Sequence, residues 1–226
     1  MPVYLLSPAL VFPDPEEAED GLIAVGADLS MERLLLAYRS GIFPWYEEGL
    51  PIMWHSPDPR CVLLADAIHV GRSLRKVLRR GYFSVRYDTA FEKIIDACKG
   101  TSRSGQRGTW ITEEMRAAYV SLHELGFAHS VEVYVGDNLV GGLYGVSLGH
   151  MFFGESMFSW VSDASKVALV GLAERLRGWG HNFIDAQVAT DHTLGLGAED
   201  WPRTRYLEVL SQNVDKPTQR GSWRES

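Results

Sequence analysis

Apolar positions recur along this chain at two different spacings, and each change of spacing marks a new element. After Asp28-Leu29-Ser30 a helical pattern begins, with Ser30 placed to cap it and Gly41 placed to end it. From Val70 to Arg80 the residues divide onto two helical faces. Val70, Leu74, Val77 and Leu78 share one, and Arg72, Arg75, Lys76, Arg79 and Arg80 share the other. A further helix opens behind Thr112, sets Met115, Ala118, Tyr119 and Leu122 along one stripe, and stops at Gly126. The period then falls to two. Val131, Val133 and Val135 alternate, Gly136-Asp137-Asn138 turns the chain, and a second strand runs from Leu139 to Ser147. A third strand is expected over 150–153, a helix over 163–179 ending at Gly180, and a strand over 182–188. A strand meander followed by a helix and a strand predicts an α+β sheet domain.

Residues 1–58 are rich in Pro and Gly and hold one helix, which predicts a small N-terminal domain. In Trp54-His55-Ser56-Pro57-Asp58-Pro59-Arg60 the prolines interrupt regular structure, so the boundary falls there and a larger domain occupies 59–212. The polar segment 213–226 is expected to be a disordered tail.

Composition narrows the function. Acidic residues outnumber basic ones, 29 to 22, so no overall positive field draws the molecule to nucleic acid, and any RNA contact must be local. That makes the five-cation stripe stand out. A solvated helix face is the plain alternative, but such a face normally mixes signs, and unpaired like charges repel one another unless an anion sits against them. Phosphate binding is favoured, with Arg103 and Arg107 extending the same surface. Cys61 and Cys98 form no CxxC pair, which fits a reducing compartment. The segment Met1 to Leu10 carries no Lys or Arg and is broken by Pro2 and Pro8, unlike a secretion signal. No apolar run approaches the ~20 residues that span a bilayer, so a cytoplasmic protein without membrane contact is expected.

Two places carry candidate chemistry. In Phe183-Ile184-Asp185-Ala186-Gln187-Val188, Asp185 and Gln187 lie at i and i+2 and leave the same strand face. One reading is a polarised pair, with Asp185 accepting from the Gln187 amide while the Gln187 oxygen accepts from an attacking amine. The other is a solvated face. Glu155 stands among Phe152, Phe153, Met157 and Phe158, where burial would raise its pKa; a salt bridge to a structural Arg is the alternative. Other signals fail. His123-Glu124 begins like a metalloprotease helix, but Phe127 occupies the position of the second ligand. Gly141, Gly142 and Gly145 lie within a strand and lack the context of a phosphate loop; they suit close approach of a ligand or another backbone. His129 and His192 are expected to be structural.

Taken in order, the runs Asp20 to Ser30 (DGLIAVGADLS), Tyr38 to Trp45 (YRSGIFPW), Trp54 to Arg60 (WHSPDPR), Gly108 to Thr112 (GTWIT), Gly154 to Ser159 (GESMFS) and Asp185 to Gly197 (DAQVATDHTLGLG) resemble leucyl/phenylalanyl-tRNA–protein transferases. The likeness covers all but the C-terminal tail. It implies an N-terminal domain joined to a C-terminal mixed-sheet domain of the acetyltransferase (GNAT) type. It implies transfer of Leu or Phe, or Met, from aminoacyl-tRNA to proteins with N-terminal Arg or Lys, marking them for degradation. On this resemblance Trp45, Trp110 and Tyr38 would bind the terminal adenosine, by base stacking. Leu143, Phe152, Met157, Leu172 and Ile184 would form the pocket for the transferred side chain, and Glu155, Asp185 and Gln187 the polar reaction centre. Ala27 stands where the family commonly has Gly, His55 where Trp is common, and Leu172 where an aromatic lines the pocket. The smaller residue at 172 leaves the preference between Leu and Phe open.

An aminoacyl ester is already activated, so amide formation requires no ATP, metal or redox cofactor, and none is expected. A monomer is expected. Two rival readings are a coenzyme A-dependent N-acetyltransferase, for which Ser162-Asp163-Ala164-Ser165-Lys166 offers no pyrophosphate loop, and a non-catalytic tRNA-binding protein, which leaves Glu155, Asp185 and Gln187 without a task.

Overall fold

A computed structural model describes residues 3–101 and 110–224. The chain first builds a four-stranded sheet in the order β1-β2-β4-β3 from β1 (Tyr4–Leu5), β2 (Leu22–Val25), β3 (Phe43–Pro44) and β4 (Met53–His55). The helix α1 (Met31–Arg39) joins β2 to β3. Ser30 precedes α1 but makes no capping bond with its side chain; Asp28 accepts from the Ser30 amide instead. The rest of the chain forms β5 (Arg60–Leu64), α2 (Arg72–Arg79), β6 (Ser84–Tyr87), α3 (Phe91–Gly100), α4 (Glu113–Glu124), β7 (Ala128–Val135), β8 (Asn138–Leu148), β9 (Met151–Ser159), α5 (Ala164–Gly178), β10 (Phe183–Gln187), α6 (Asp191–Gly195), β11 (Glu199–Trp201) and α7 (Arg203–Asn213). Its seven strands run in the order β11-β5-β10-β9-β8-β7-β6. The expected α+β class, with a small N-terminal unit ahead of a mixed sheet, is what the chain adopts.

Alternation along β8 explains how both faces of the large sheet are covered. Leu143 joins an apolar cluster with α5, while its neighbour Tyr144 joins the cluster that holds Ile94 of α3 and Met115 and Tyr119 of α4. That second cluster runs without a break into the N-terminal unit, through Leu34, Phe43 and Trp54, so the two units share one core. The glycines of β8 serve this packing. A Cβ at Gly141 would lie 2.5 Å from the Cβ of Ala164, so only glycine lets α5 approach the sheet so closely.

The structure departs from the sequence pattern in two places. The strand foreseen over 150–153 continues to Ser159, because β8 pairs with it as far as Gly141 opposite Ser159. The segment 213–226, foreseen as disordered, is strapped to the large unit over its described part. Thr218 accepts from the Gly149 amide at 2.8 Å, Arg220 donates to the Leu125 carbonyl at 2.9 Å, and Trp223 is 2% exposed. One buried indole outweighs the polar composition around it. Among the described residues no helix is long and apolar enough to cross a membrane.

Candidate active site

The sheet opens where its one parallel strand pair ends. β10 pairs with β9 only from Phe183 opposite Met151 to Asp185 opposite Phe153, whereas β9 continues to Ser159. Beyond Asp185 the register of β10 shifts, and Gln187 takes a left-handed conformation at φ 63°. The two strands therefore separate, and a cavity of about 640 Å³ occupies the gap. Leu143, Phe152, Met157, Leu172 and Ile184, the five residues expected to hold an aminoacyl side chain, all line it. Trp45, Trp110, Glu155 and Gln187 line it as well, so most of the candidate residues converge on this one space.

Glu155 is a buried acid on the cavity wall. It is 7% exposed, and no cation pairs with it among the described residues. The alternative, a salt bridge to an Arg, is absent among the described residues; three neutral donors take its place. Tyr38 donates to Oε1 at 2.7 Å, Tyr119 donates to Oε2 at 2.8 Å, and the Gln187 side-chain amide donates to Oε1 at 3.0 Å. Burial pushes the carboxyl up to about 7, although the three donors pull against it. Burial and the nearby Glu155 charge hold the Tyr38 and Tyr119 phenols well above their ordinary range, so both stay protonated donors.

Asp185 behaves differently from the expected relay. It is fully buried, and its carboxylate accepts from Arg60 Nε at 2.8 Å, Arg60 Nη2 at 2.6 Å, the Tyr206 hydroxyl at 2.8 Å and the Gln187 backbone amide at 2.9 Å. Each oxygen is doubly occupied, which leaves no place for an incoming amine. The Gln187 side chain turns to Glu155, not to Asp185, because the bulge breaks the same-face geometry that an ideal strand would give. Asp185 thus fixes the backbone of Gln187, and Gln187 reaches the cavity. A solvated strand face is ruled out equally.

Tyr38 is also reassigned. It is 1% exposed, packs on Phe153 and donates to Glu155, so its ring offers no free face for an adenine. Trp45 is 38% exposed, whereas Trp110 is 8% exposed and meets the cavity from within the core. Arg72, Arg75, Lys76, Arg79 and Arg80 are all exposed along α2, and none pairs with an acid among the described residues. Arg103 and Arg107 lie outside the described residues. Three residues of the site escape a reading of spacing alone. Tyr119 looks like one more apolar position of a helix, Tyr206 has no local signature, and Arg60 reads as the end of the proline-rich junction, although a cation heading the apolar run Cys61 to Leu64 is a signal in hindsight.

Residues 62–211 match the family model described as leucyl/phenylalanyl-tRNA protein transferase, and residues 27–58 match the model of the N-terminal domain of the same proteins. A leucyl/phenylalanyl-tRNA–protein transferase of Myxococcus xanthus is 61% identical, over 100% of this chain and 97% of its own length. One from Nitratidesulfovibrio vulgaris is 55% identical, over 99% of this chain and 97% of its own length, and one from Anaeromyxobacter is 54% identical, over 99% and 95%. Among solved structures, a conserved protein of unknown function from Bacteroides thetaiotaomicron is similar at 15% identity and a TM-score of 0.44, covering 86% of this chain and 67% of that one.

Proposed function

Because this chain belongs to the leucyl/phenylalanyl-tRNA–protein transferase family and is therefore an aminoacyltransferase, we propose that it moves Leu or Phe from tRNA onto the N-terminal Arg or Lys of acceptor proteins. The observation that carries this reading is the apolar cavity with a carboxyl near neutrality at its wall. Leu143, Phe152, Met157, Leu172 and Ile184 enclose a branched or aromatic side chain without a polar group, and flexible Met157 adapts to either. Trp45 and Trp110 stack the terminal adenosine, and the α2 stripe holds tRNA phosphates.

The chemistry follows from the groups around Glu155. An α-amino group has a free pKa of about 8, so at neutral pH most of it is protonated. Glu155, pushed up to about 7, is matched to take that proton. The amine lone pair then attacks the ester carbonyl, the new C–N bond forms, and the C–O bond to the ribose breaks. The attacking nitrogen gives its second proton to the departing 3′-oxygen through the neighbouring ribose hydroxyl, and Glu155 releases the first to solvent before the next turnover. Gln187 orients the amine with its side-chain oxygen while its amide group holds Glu155. Asp185 and Arg60 act behind it as positioning residues. The product carries a new N-terminal Leu or Phe that marks it for degradation, in the cytoplasm where charged tRNA is found. The acetyltransferase (GNAT) relationship remains part of this proposal, supported by the sheet that splits at a parallel strand pair, as does the division into 1–58 and 59–212.

The test is transfer of labelled Leu or Phe from charged tRNA to a peptide beginning with Arg. Transfer to that peptide, and none to the same peptide beginning with Asp, is the expected result. Failure with both amino acids under conditions where charged tRNA binds would overturn the reading.

A further inference from the structure

The C-terminal strap ends against the back of the cavity. Trp223 lies 3.8 Å from His129 with the rings within 6° of parallel, 4.9 Å from Trp179 edge to face, and 6.0 Å from Phe152 at a tilt of 41°. Its backbone is held from two sides. The amide donates to Asp88 Oδ2 at 2.8 Å, and the carbonyl accepts from Arg175 Nη1 at 2.6 Å. Asp88 in turn accepts from His129 Nδ1 at 2.9 Å and from the Ser130 amide, so the anchor is itself fixed by strand β7. The indole is therefore a rigid wedge, reached from a segment of the chain more than sixty positions beyond the cavity strand β9.

Phe152 is the residue this wedge touches that also lines the cavity. A Cβ added at Gly145 would lie 2.6 Å from Phe152 Cε1 and 2.7 Å from Cζ, so the ring rests directly on glycine backbone. Gly145 bounds the ring on one side and Trp223 on another, and between them they fix where the cavity wall stands.

We propose that Trp223 is a specificity-determining positioning residue: by backing Phe152 it sets the depth of the apolar cavity and so the balance between a branched aliphatic and an aromatic aminoacyl side chain. This rests on the aminoacyl-transfer reading above. Without the indole, Phe152 swings into the vacated space and the cavity deepens, which favours the larger side chain. A difference of one or two carbon groups in an apolar pocket is worth about tenfold or more in kcat/KM, so the wedge has a measurable lever.

The experiment compares the full-length wild type with Trp223→Ala, Trp223→Leu and Trp223→Phe, in transfer from Phe-charged and Leu-charged tRNA to one peptide beginning with Arg. In Trp223→Ala the ratio of kcat/KM for Phe over Leu rises about tenfold, while KM for the peptide is unchanged; Trp223→Phe, which keeps a flat ring, returns to within about twofold of wild type. If Trp223→Ala does not fold by circular dichroism, Trp223→Leu carries the comparison, with a rise in the same direction expected. A ratio that stays at the wild-type value in a folded Ala or Leu variant overturns the proposal. A loss equal for both amino acids overturns it too, since a purely structural role lowers both together. If wild type transfers neither amino acid, the reading on which the proposal rests falls first, and the two failures are thereby told apart.

Discussion

Glu155 holds a charge in a place that water barely reaches, and its titration ties stability to activity. Its carboxyl rises to about 7 in the fold, against about 4.5 in the unfolded chain, so the folded state binds the proton more tightly. The stability associated with it is fully present below pH 4.5 and is lost as pH rises through 7, a difference of about 3 kcal/mol. Glu155→Gln removes this slope: thermal melts of the variant gain on wild type as pH goes from 5 to 8. The same substitution lowers turnover about 10²–10⁴-fold, and the wild-type inflection near pH 7 disappears from the rate profile, leaving the step of the acceptor amine. A variant that keeps that inflection would assign the proton transfer elsewhere. Asp185→Asn acts through another route. It strands the buried Arg60 guanidinium, at a cost of about 3–5 kcal/mol, which calorimetry reads as a melting temperature lower by about 10 °C; full stability with lost turnover would instead make Asp185 a chemical participant. The polar pair was legible in Asp185 and Gln187 because two polar groups between Ile184 and Val188 demand a reason. Their wiring was not, because a bulge at positive φ has no signature in residues that are neither Gly nor Asn.

At the scale of elements, α2 is the clearest case of pattern turning into surface. Leu74 faces the core, while Arg72, Arg75, Lys76 and Arg79, with Arg80 just past the helix end, face solvent, as the spacing predicts. Reversing Arg75, Lys76, Arg79 and Arg80 to Glu weakens binding of charged tRNA while circular dichroism stays unchanged, and the slope of log affinity against log salt becomes shallower by about 3–4. Wild-type affinity in the variant at low salt would remove α2 from the tRNA path. Strand β5 is the counter-example. Arg60 to Val62 and Leu63 are all buried, so no alternation betrays the strand and the proline-rich segment before it dominates the reading. The same holds for the end of β9, beyond the expected 150–153, where Gly154, a residue uncommon in strands, pairs opposite Gly145.

For the molecule as a whole, the cavity belongs to both sheets. Trp45 comes from the end of β3 and Trp110 from the entry to α4, and both reach the same space. Trp110→Ala therefore raises KM for charged tRNA, by the equivalent of roughly 1–3 kcal/mol of lost stacking, more than it raises KM for the peptide; a change confined to the peptide would give Trp110 to the acceptor instead. Pro57 and Pro59 suggest a boundary in the sequence, but the core shared by residues on both sides of them was not legible, since packing between distant segments leaves no local periodicity. Arg60 is where this matters most. Its guanidinium lies against the rings of Phe43 and Tyr206, donates to the Gly41 carbonyl at 3.1 Å and clasps Asp185, so one side chain pins the N-terminal sheet, β5, β10 and α7 together. Opening the two units like jaws would tear that cation from all its partners at once. The site is consequently a fixed keyhole, and traffic through it falls to the flexibility of the visitor: a single-stranded acceptor end and a flexible peptide can thread in, whereas a folded body has to stop at the rim.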